Sequence, residues 1–127
     1  MAAKAGINAS SRVLEVGTGS GFAAAVYTEL GAKVYTVEID CTLAEAARTR
    51  LRRLGYSGIQ VHCADGMAGW SEEAPFNTIF INLKSRGIPE ALVEQLAARG
   101  RVLVPIEVQA TRLASAINGL EKIRLMI

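Results

Sequence analysis

Arg12-Val13-Leu14-Glu15-Val16-Gly17-Thr18-Gly19-Ser20-Gly21-Phe22 is the stretch on which the fold turns. Arg12 to Val16 reads as a short strand, with branched apolar side chains around a single carboxylate. Three glycines at alternate positions then interrupt the strand, and Phe22 opens an alanine-rich run that reads as a helix to Leu30. A strand, a glycine turn and a helix in that order begin a parallel βαβ unit. Glycine adopts left-handed backbone angles freely and lets a ligand approach the main chain, while the helix beyond points its amides at that ligand.

Working outward, the same alternation repeats. Phe22, Val26 and Leu30 recur every fourth position and are expected to face the sheet, with Gly31 as the helix stop. Lys33 to Glu38 reads as a second strand. Asp40 suits a helix cap, followed by a stripe of Leu43, Ala47, Leu51 and Leu54 that Gly55 ends. Ile59 to Cys63 reads as a third strand, and Ala64 to Pro75 as a loop. Phe76 to Ile81 is apolar on both faces apart from Asn77 and Thr78, which suits a central strand. Pro89 suits the first position of a helix running to about Ala98, with Leu92, Val93 and Leu96 inward, and Arg101 to Pro105 reads as a fifth strand. Ala110 to Ile117 and Leu120 to Ile127, joined by Asn118-Gly119, carry a strong hairpin signal. The expected fold is α/β and Rossmann-like: one domain over residues 1–127, with a mostly parallel sheet and a C-terminal antiparallel hairpin.

Composition narrows the classes. Half of the 127 residues are apolar and a fifth are charged, which fits a filled core and not a disordered chain. A net charge of +2 is too small to suggest a nucleic-acid surface, and no uncharged apolar stretch is long enough to suggest a membrane span. The opening residues lack the apolar centre of a secretion signal. Cys41 and Cys63 have no metal-type spacing and are expected as reduced thiols, buried as small hydrophobes. The cytoplasm is the expected location.

The glycine spacing separates two cofactor classes. A dinucleotide site wants its third glycine where Phe22 stands, whereas G-x-G-x-G suits the amino-acid end of S-adenosylmethionine, which has no pyrophosphate. A tight glycine turn with no ligand is the plain alternative. Glu38 ends the second strand, where a carboxylate can accept both hydroxyls of a ribose. Asp65 follows the third strand, where it can accept from the exocyclic amine of adenine while Gly66 leaves room for the ring. All three features fall at the C-terminal ends of neighbouring parallel strands, the edge at which open α/β sheets bind ligands.

With these residues in place, the chain resembles the protein-L-isoaspartate O-methyltransferases. The resemblance is carried by residues 12–25, by Val34-Tyr35-Thr36-Val37-Glu38 and by Arg53-Leu54-Gly55-Tyr56. It continues in Asp65-Gly66-Met67-Ala68-Gly69-Trp70 and Glu73-Ala74-Pro75-Phe76. It implies a class I methyltransferase sheet in the order 3-2-1-4-5-7-6, with the last strand antiparallel. It implies methyl transfer from S-adenosylmethionine, leaving S-adenosylhomocysteine, to the carboxylate of an isoaspartyl peptide or protein. The cofactor-binding residues it implies are Glu15, Gly17, Thr18, Gly19, Ser20, Gly21, Glu38, Ile39, Asp65 and Gly66.

The chain also departs from the family. The family's segment before the first strand, with a hydroxyl residue beside the methyl acceptor and a cover for the cofactor, is expected to be absent here. Asn82-Leu83-Lys84-Ser85-Arg86-Gly87 stands where the family has small residues, and Glu107 replaces a glycine. No catalytic residue carries over.

A carboxylate acceptor is already a nucleophile at neutral pH, so no general base is required, and the lone His62 reads as structural. Lys84 and Arg86 can hold an acceptor carboxylate or belong to a solvated loop. Arg48, Arg50, Arg52 and Arg53 read as a solvated helix face. Trp70 can lid the adenine or pack beneath its own loop. Two further readings stay open: a module that binds the cofactor without isoaspartyl activity, and a methyltransferase for another small acid. Residual apolar surface suggests a homodimer.

Overall fold

The computed structural model describes residues 7–9, 11–82 and 87–104. Its centre is a five-stranded sheet in the order β3-β2-β1-β4-β5: β1 (Arg12–Val16), β2 (Lys33–Glu38), β3 (Gln60–Cys63), β4 (Phe76–Ile81) and β5 (Leu96–Leu103). Every pairing is parallel. The interior strands bury nearly every residue, as parallel strands covered on both faces must. The order runs outward from β1 in both directions, so the chain reverses course beside the end of β1. In doubly wound sheets that switch point is where a ligand crevice opens.

Helices α1 (Phe22–Glu29) and α2 (Cys41–Arg53) cover one face. Val13, Val34, Val61 and Phe80 of the sheet meet Ala24, Tyr27, Ala44 and Leu51 of the helices there. The short α3 (Glu90–Glu94) and the loop after β3 cover the other face, where Leu92, Met67 and Trp70 pack on Leu14, Tyr35 and Ile79.

Three helical expectations need correction. On α1 the buried residues are Ala24 and Tyr27, whereas Phe22 is 76% exposed and Val26 and Leu30 also face outward. Tyr27 stacks flat on Phe80, with ring centroids 4.4 Å apart, and that contact sets the helix rotation. On α2 the stripe is Ala44, Ala47 and Leu51, with Leu43 and Leu54 exposed. Ala24, Ala44 and Ala47 share the inner faces with Tyr27 and Leu51, and Val26, Leu30, Leu43 and Leu54 are left exposed.

The third helix is shorter than expected, since Leu96 already pairs with Phe76 and belongs to β5. Leu92 is buried as expected, while Val93 is half exposed. A register shift between Phe76 and Thr78 takes up the extra residues of β5, with Arg99 in the left-handed region at φ 64. The Asn118-Gly119 hairpin, Glu107, Lys84 and Arg86 lie outside the described residues.

The cysteine expectation also fails. Cys41, the first residue of α2, and Cys63, the last of β3, are joined in a disulfide with Cα atoms 5.2 Å apart. Cys41 is exposed and Cys63 half-buried, so neither fills the core as a small hydrophobe. Twenty-two positions of sequence gave no spacing signal; the parallel pairing of β2 and β3 creates the approach.

Candidate functional site

The glycine turn leaves β1 at the switch point. Gly17, Gly19 and Gly21 all have positive φ, at 96°, 55° and 91°, which a side chain would resist at each place. The turn is pinned from both ends: Gly17 N–H donates to the Val37 carbonyl at 2.8 Å, and Gly21 N–H to the Thr18 carbonyl at 3.0 Å. Gly21 also lies over α2, since a Cβ there would stand 3.2 Å from Leu51. Beside Gly19 there is open space, with nothing within 4 Å of where a Cβ would be. A ligand can therefore reach the main chain at the middle of the turn.

Glu38 is 8% exposed at the end of β2. One carboxylate oxygen accepts from Gly19 N–H and the other from Asp40 N–H, each at 3.1 Å. The acid thus ties the glycine turn to the β2–α2 turn. A carboxylate has about four acceptor positions, so capacity for two hydroxyls remains. Asp40 caps α2 as expected, accepting from Thr42 N–H and Leu43 N–H. Ile39, between the two acids, is 68% exposed.

Asp65 follows β3 and accepts from Met67 N–H at 3.0 Å, capping a single 3₁₀ turn over Gly66–Ala68. Gly66 is buried at the end of β1, where a Cβ would come 2.5 Å from Val16 Cγ1. Only glycine brings this loop so near the first turn. The Asp65 loop, the Glu38 strand end and the glycine turn therefore share one edge of the sheet.

Glu15 is fully buried beneath the turn, in register with Thr36 on β2 and Phe80 on β4. Thr36 Oγ1 donates to its Oε1 at 2.7 Å, and Asn82 Nδ2 donates to its Oε2 at 2.8 Å. Burial pushes its carboxyl up to about 7, with the nearby Glu38 charge adding to the rise and the two hydrogen bonds opposing it.

Several contacts had no sequence signal. Arg50, expected in a solvated face, donates from Nη1 to the Ser20 carbonyl at 2.7 Å. Arg48 donates to the Val61 carbonyl at 2.5 Å and pairs with Glu45, while Arg52 and Arg53 are exposed. Thr36 and Asn82, both bonded to Glu15, carry no motif that marks them as site residues. His62 lies against Trp70 with ring centroids 4.7 Å apart, and Trp70 meets Tyr35 edge-on. The indole thus packs beneath its own loop, the second of its two expected placements. Among the described residues no group of three or more His, Cys, Asp or Glu side chains could hold a metal ion.

Comparison with known proteins agrees with this architecture. A family profile described as protein-L-isoaspartate(D-aspartate) O-methyltransferase matches residues 2–124. The protein-L-isoaspartate O-methyltransferase of Gloeobacter violaceus is 46% identical over 109 residues, covering 86% of this chain and 53% of that protein. A solved protein-L-isoaspartate O-methyltransferase superposes with a TM-score of 0.77 at 34% identity, covering 87% of this chain and 36% of that one. The methyltransferase of Thiobacillus denitrificans solved with S-adenosyl-L-homocysteine shares the fold alone, with a TM-score of 0.69 at 20% identity, covering 95% of this chain and 54% of that one. The chain spans about half the length of the curated relatives it matches. With a family match from residue 2 to residue 124, this chain belongs to the protein-L-isoaspartate(D-aspartate) O-methyltransferase family.

Proposed function

We propose that the chain binds S-adenosylmethionine along this edge and takes part in methyl transfer to the carboxylate of an isoaspartyl residue in a damaged protein, a repair reaction. The observation that carries the reading is the bond from Gly19 N–H to Glu38 Oε1, which makes the glycine turn and the ribose-side acid one unit. The open space beside Gly19 and the acceptor capacity of Glu38 fit an amino-acid end and a ribose, respectively.

In this reading residues 17–21 cradle the amino-acid end, with Glu15 beneath them. Glu38 accepts the ribose hydroxyls. Ile39 and Gly66 flank the adenine, and Asp65 accepts from its amine. The cofactor, when bound, supplies a methyl group already activated on a sulfonium. What this chain supplies is alignment of that group for in-line attack, and alignment can lower a barrier by roughly 7–11 kcal/mol. The acceptor needs no proton removed, which agrees with a site edge built from amides and acids.

The cytoplasm is the proposed location. Disulfides there are mostly transient and redox-responsive, so the Cys41–Cys63 bridge is read as reversible. Residues 1–127 are read as one domain, and as a two-fold dimer in solution, with the outward apolar side chains Phe22, Val26 and Leu30 as the surface that favours association. Light scattering at micromolar concentration should give twice the chain mass; a monomer mass at all concentrations removes the dimer.

Calorimetry with S-adenosylhomocysteine tests the site. Glu38→Ala should weaken binding by about 1.5–3 kcal/mol, the range for hydrogen bonds to a charged group. A folded Glu38→Ala protein with unchanged affinity overturns the assignment. Methylation of an isoaspartyl peptide tests the reaction separately: binding without turnover leaves the cofactor reading and removes the enzymatic one.

A further inference from the structure

Thr36 is the middle residue of a hydrogen-bond chain that neither the glycine motif nor the acids account for. It sits on β2 among apolar neighbours and is fully buried. A buried hydroxyl is costly unless its hydrogen-bonding groups are used. Here both are. The Thr36 hydroxyl donates to Glu15 Oε1 at 2.7 Å and stands 2.6 Å from Thr18 Oγ1. With Glu15 ionised, that single proton is committed to the carboxylate and the Thr18 hydroxyl is the donor in the second bond. The chain therefore runs in one direction, from Thr18 in the glycine turn, through Thr36, to Glu15 beneath the turn. Asn82 holds the other oxygen of Glu15 at 2.8 Å, which leaves the carboxylate fixed at both ends.

We infer that Thr36 is a positioning residue for the cofactor loop: its hydroxyl couples the place of Thr18 and Gly19 to the orientation of the Glu15 carboxylate. The inference rests on the reading of this edge as the cofactor site. It also makes a claim about the turn that needs no ligand. Without the hydroxyl, the Thr18 donor and one oxygen of Glu15 are both left unmatched in a buried place. The two shift apart or admit water, and the turn loses its fixed height above the sheet. Shape alone does not serve, because valine fills the same volume and lacks the bond.

The test compares Thr36→Val with Thr36→Ser in the full chain. S-adenosylhomocysteine affinity is measured by calorimetry, and amide hydrogen exchange at Gly19 and Gly21 is measured without ligand. The valine variant should bind about tenfold or more weakly, the fold-change expected for a lost bond to a charged group, and its turn amides should exchange faster. The serine variant should stay within about twofold of the parent on both readouts, since it restores the donor and acceptor. A folded valine variant with parental affinity and parental exchange overturns the inference. So does a serine variant as impaired as the valine one, which would assign the effect to packing. If the valine protein does not fold, Thr18→Val cuts the same chain at its loop end; parental turn exchange in that variant overturns the coupling. A parent that binds no cofactor removes the site reading, while the exchange data still decide whether Thr36 holds the turn.

Discussion

Gly66 and Val16 are in contact so close that no side chain can be added between them: a Cβ on Gly66 would meet Val16 Cγ1 at 2.5 Å. Val16 is the last residue of β1 and is fully buried, so its methyl groups have no open space to move into. This contact joins the Asp65 loop to the strand that launches the glycine turn.

Gly66→Ala should therefore destabilise the fold by about 1–3 kcal/mol, the usual range for overpacking a filled interior. Val16→Ala should cost stability through a cavity, but the double variant should be more stable than the sum of the two losses predicts. Urea unfolding of the four proteins completes the cycle. Additive losses would show that the clash is relieved elsewhere.

Glu15 links stability to pH. Its carboxyl is raised to about 7 in the fold, against 4.5 for the unperturbed group. The folded state then holds a proton that the unfolded state has released between those values. Stability from this group is complete below about pH 4.5, falls as pH rises through the window and levels off above about 7, with a total on the order of 3 kcal/mol. Glu15→Gln should flatten the curve between pH 5 and 7.5. A parental protein whose urea midpoint is constant across that range rules out the raised value.

The Cys41–Cys63 bridge ties the turn after Glu38 to the strand end before Asp65. Cross-links of this kind contribute about 2–4 kcal/mol, mainly by restricting the unfolded chain. Treatment with a dithiol should lower the urea midpoint, and alkylation without reductant should leave both cysteines unlabelled in the mass spectrum. Reduction should also weaken S-adenosylhomocysteine binding, because two turns of the site lose their clasp. Two readily alkylated thiols in the oxidised protein, or a midpoint indifferent to dithiol, contradict the bridge.

The sequence was most legible where one interaction acts over a short range. The glycine turn, the Asp40 cap and the boundaries of β1, β2 and β4 follow from residues within a few positions of each other. The rotation of α1 did not, because Phe22 to Ala25 are apolar in succession and no stripe is unique. Contact with Phe80 across the sheet decides it. The shortness of α3 is hidden from a local reading for a related reason. Leu96 and Ala97 suit a helix locally, but β4 offers Leu96 a strand partner, and tertiary pairing overrides propensity. In the site, Glu38 and Asp65 were visible as acids at strand ends. Thr36 was not, since a threonine in a strand is ordinary until the fold brings Thr18 and Glu15 to it.

Gln95 holds the loop that carries Trp70. It is 8% exposed, and its Oε1 accepts from Trp70 N–H at 2.8 Å while its Nε2 donates to the Ala68 carbonyl at 3.0 Å. A Cβ on Gly69 would overlap this amide, which shows how closely the loop wraps around it. Gln95→Leu keeps the bulk and removes both bonds, leaving a donor and an acceptor unmatched beneath the loop. The loss should be about 1–3 kcal/mol, the penalty for unsatisfied buried groups. Trp70 is the only tryptophan in the chain, so its fluorescence reports on the loop directly. Freed from Gln95, the indole should slip from its packing on Tyr35 and His62, and its emission should shift to longer wavelength as water reaches it. Gln95→Glu is the sharper probe: it keeps the acceptor for Trp70 N–H but sets a carboxylate oxygen against the Ala68 carbonyl. Its emission should therefore shift more at neutral pH than at pH 4, where a protonated acid can donate to that carbonyl. Parental emission and stability in both variants would mean that the loop is held by its apolar contacts alone.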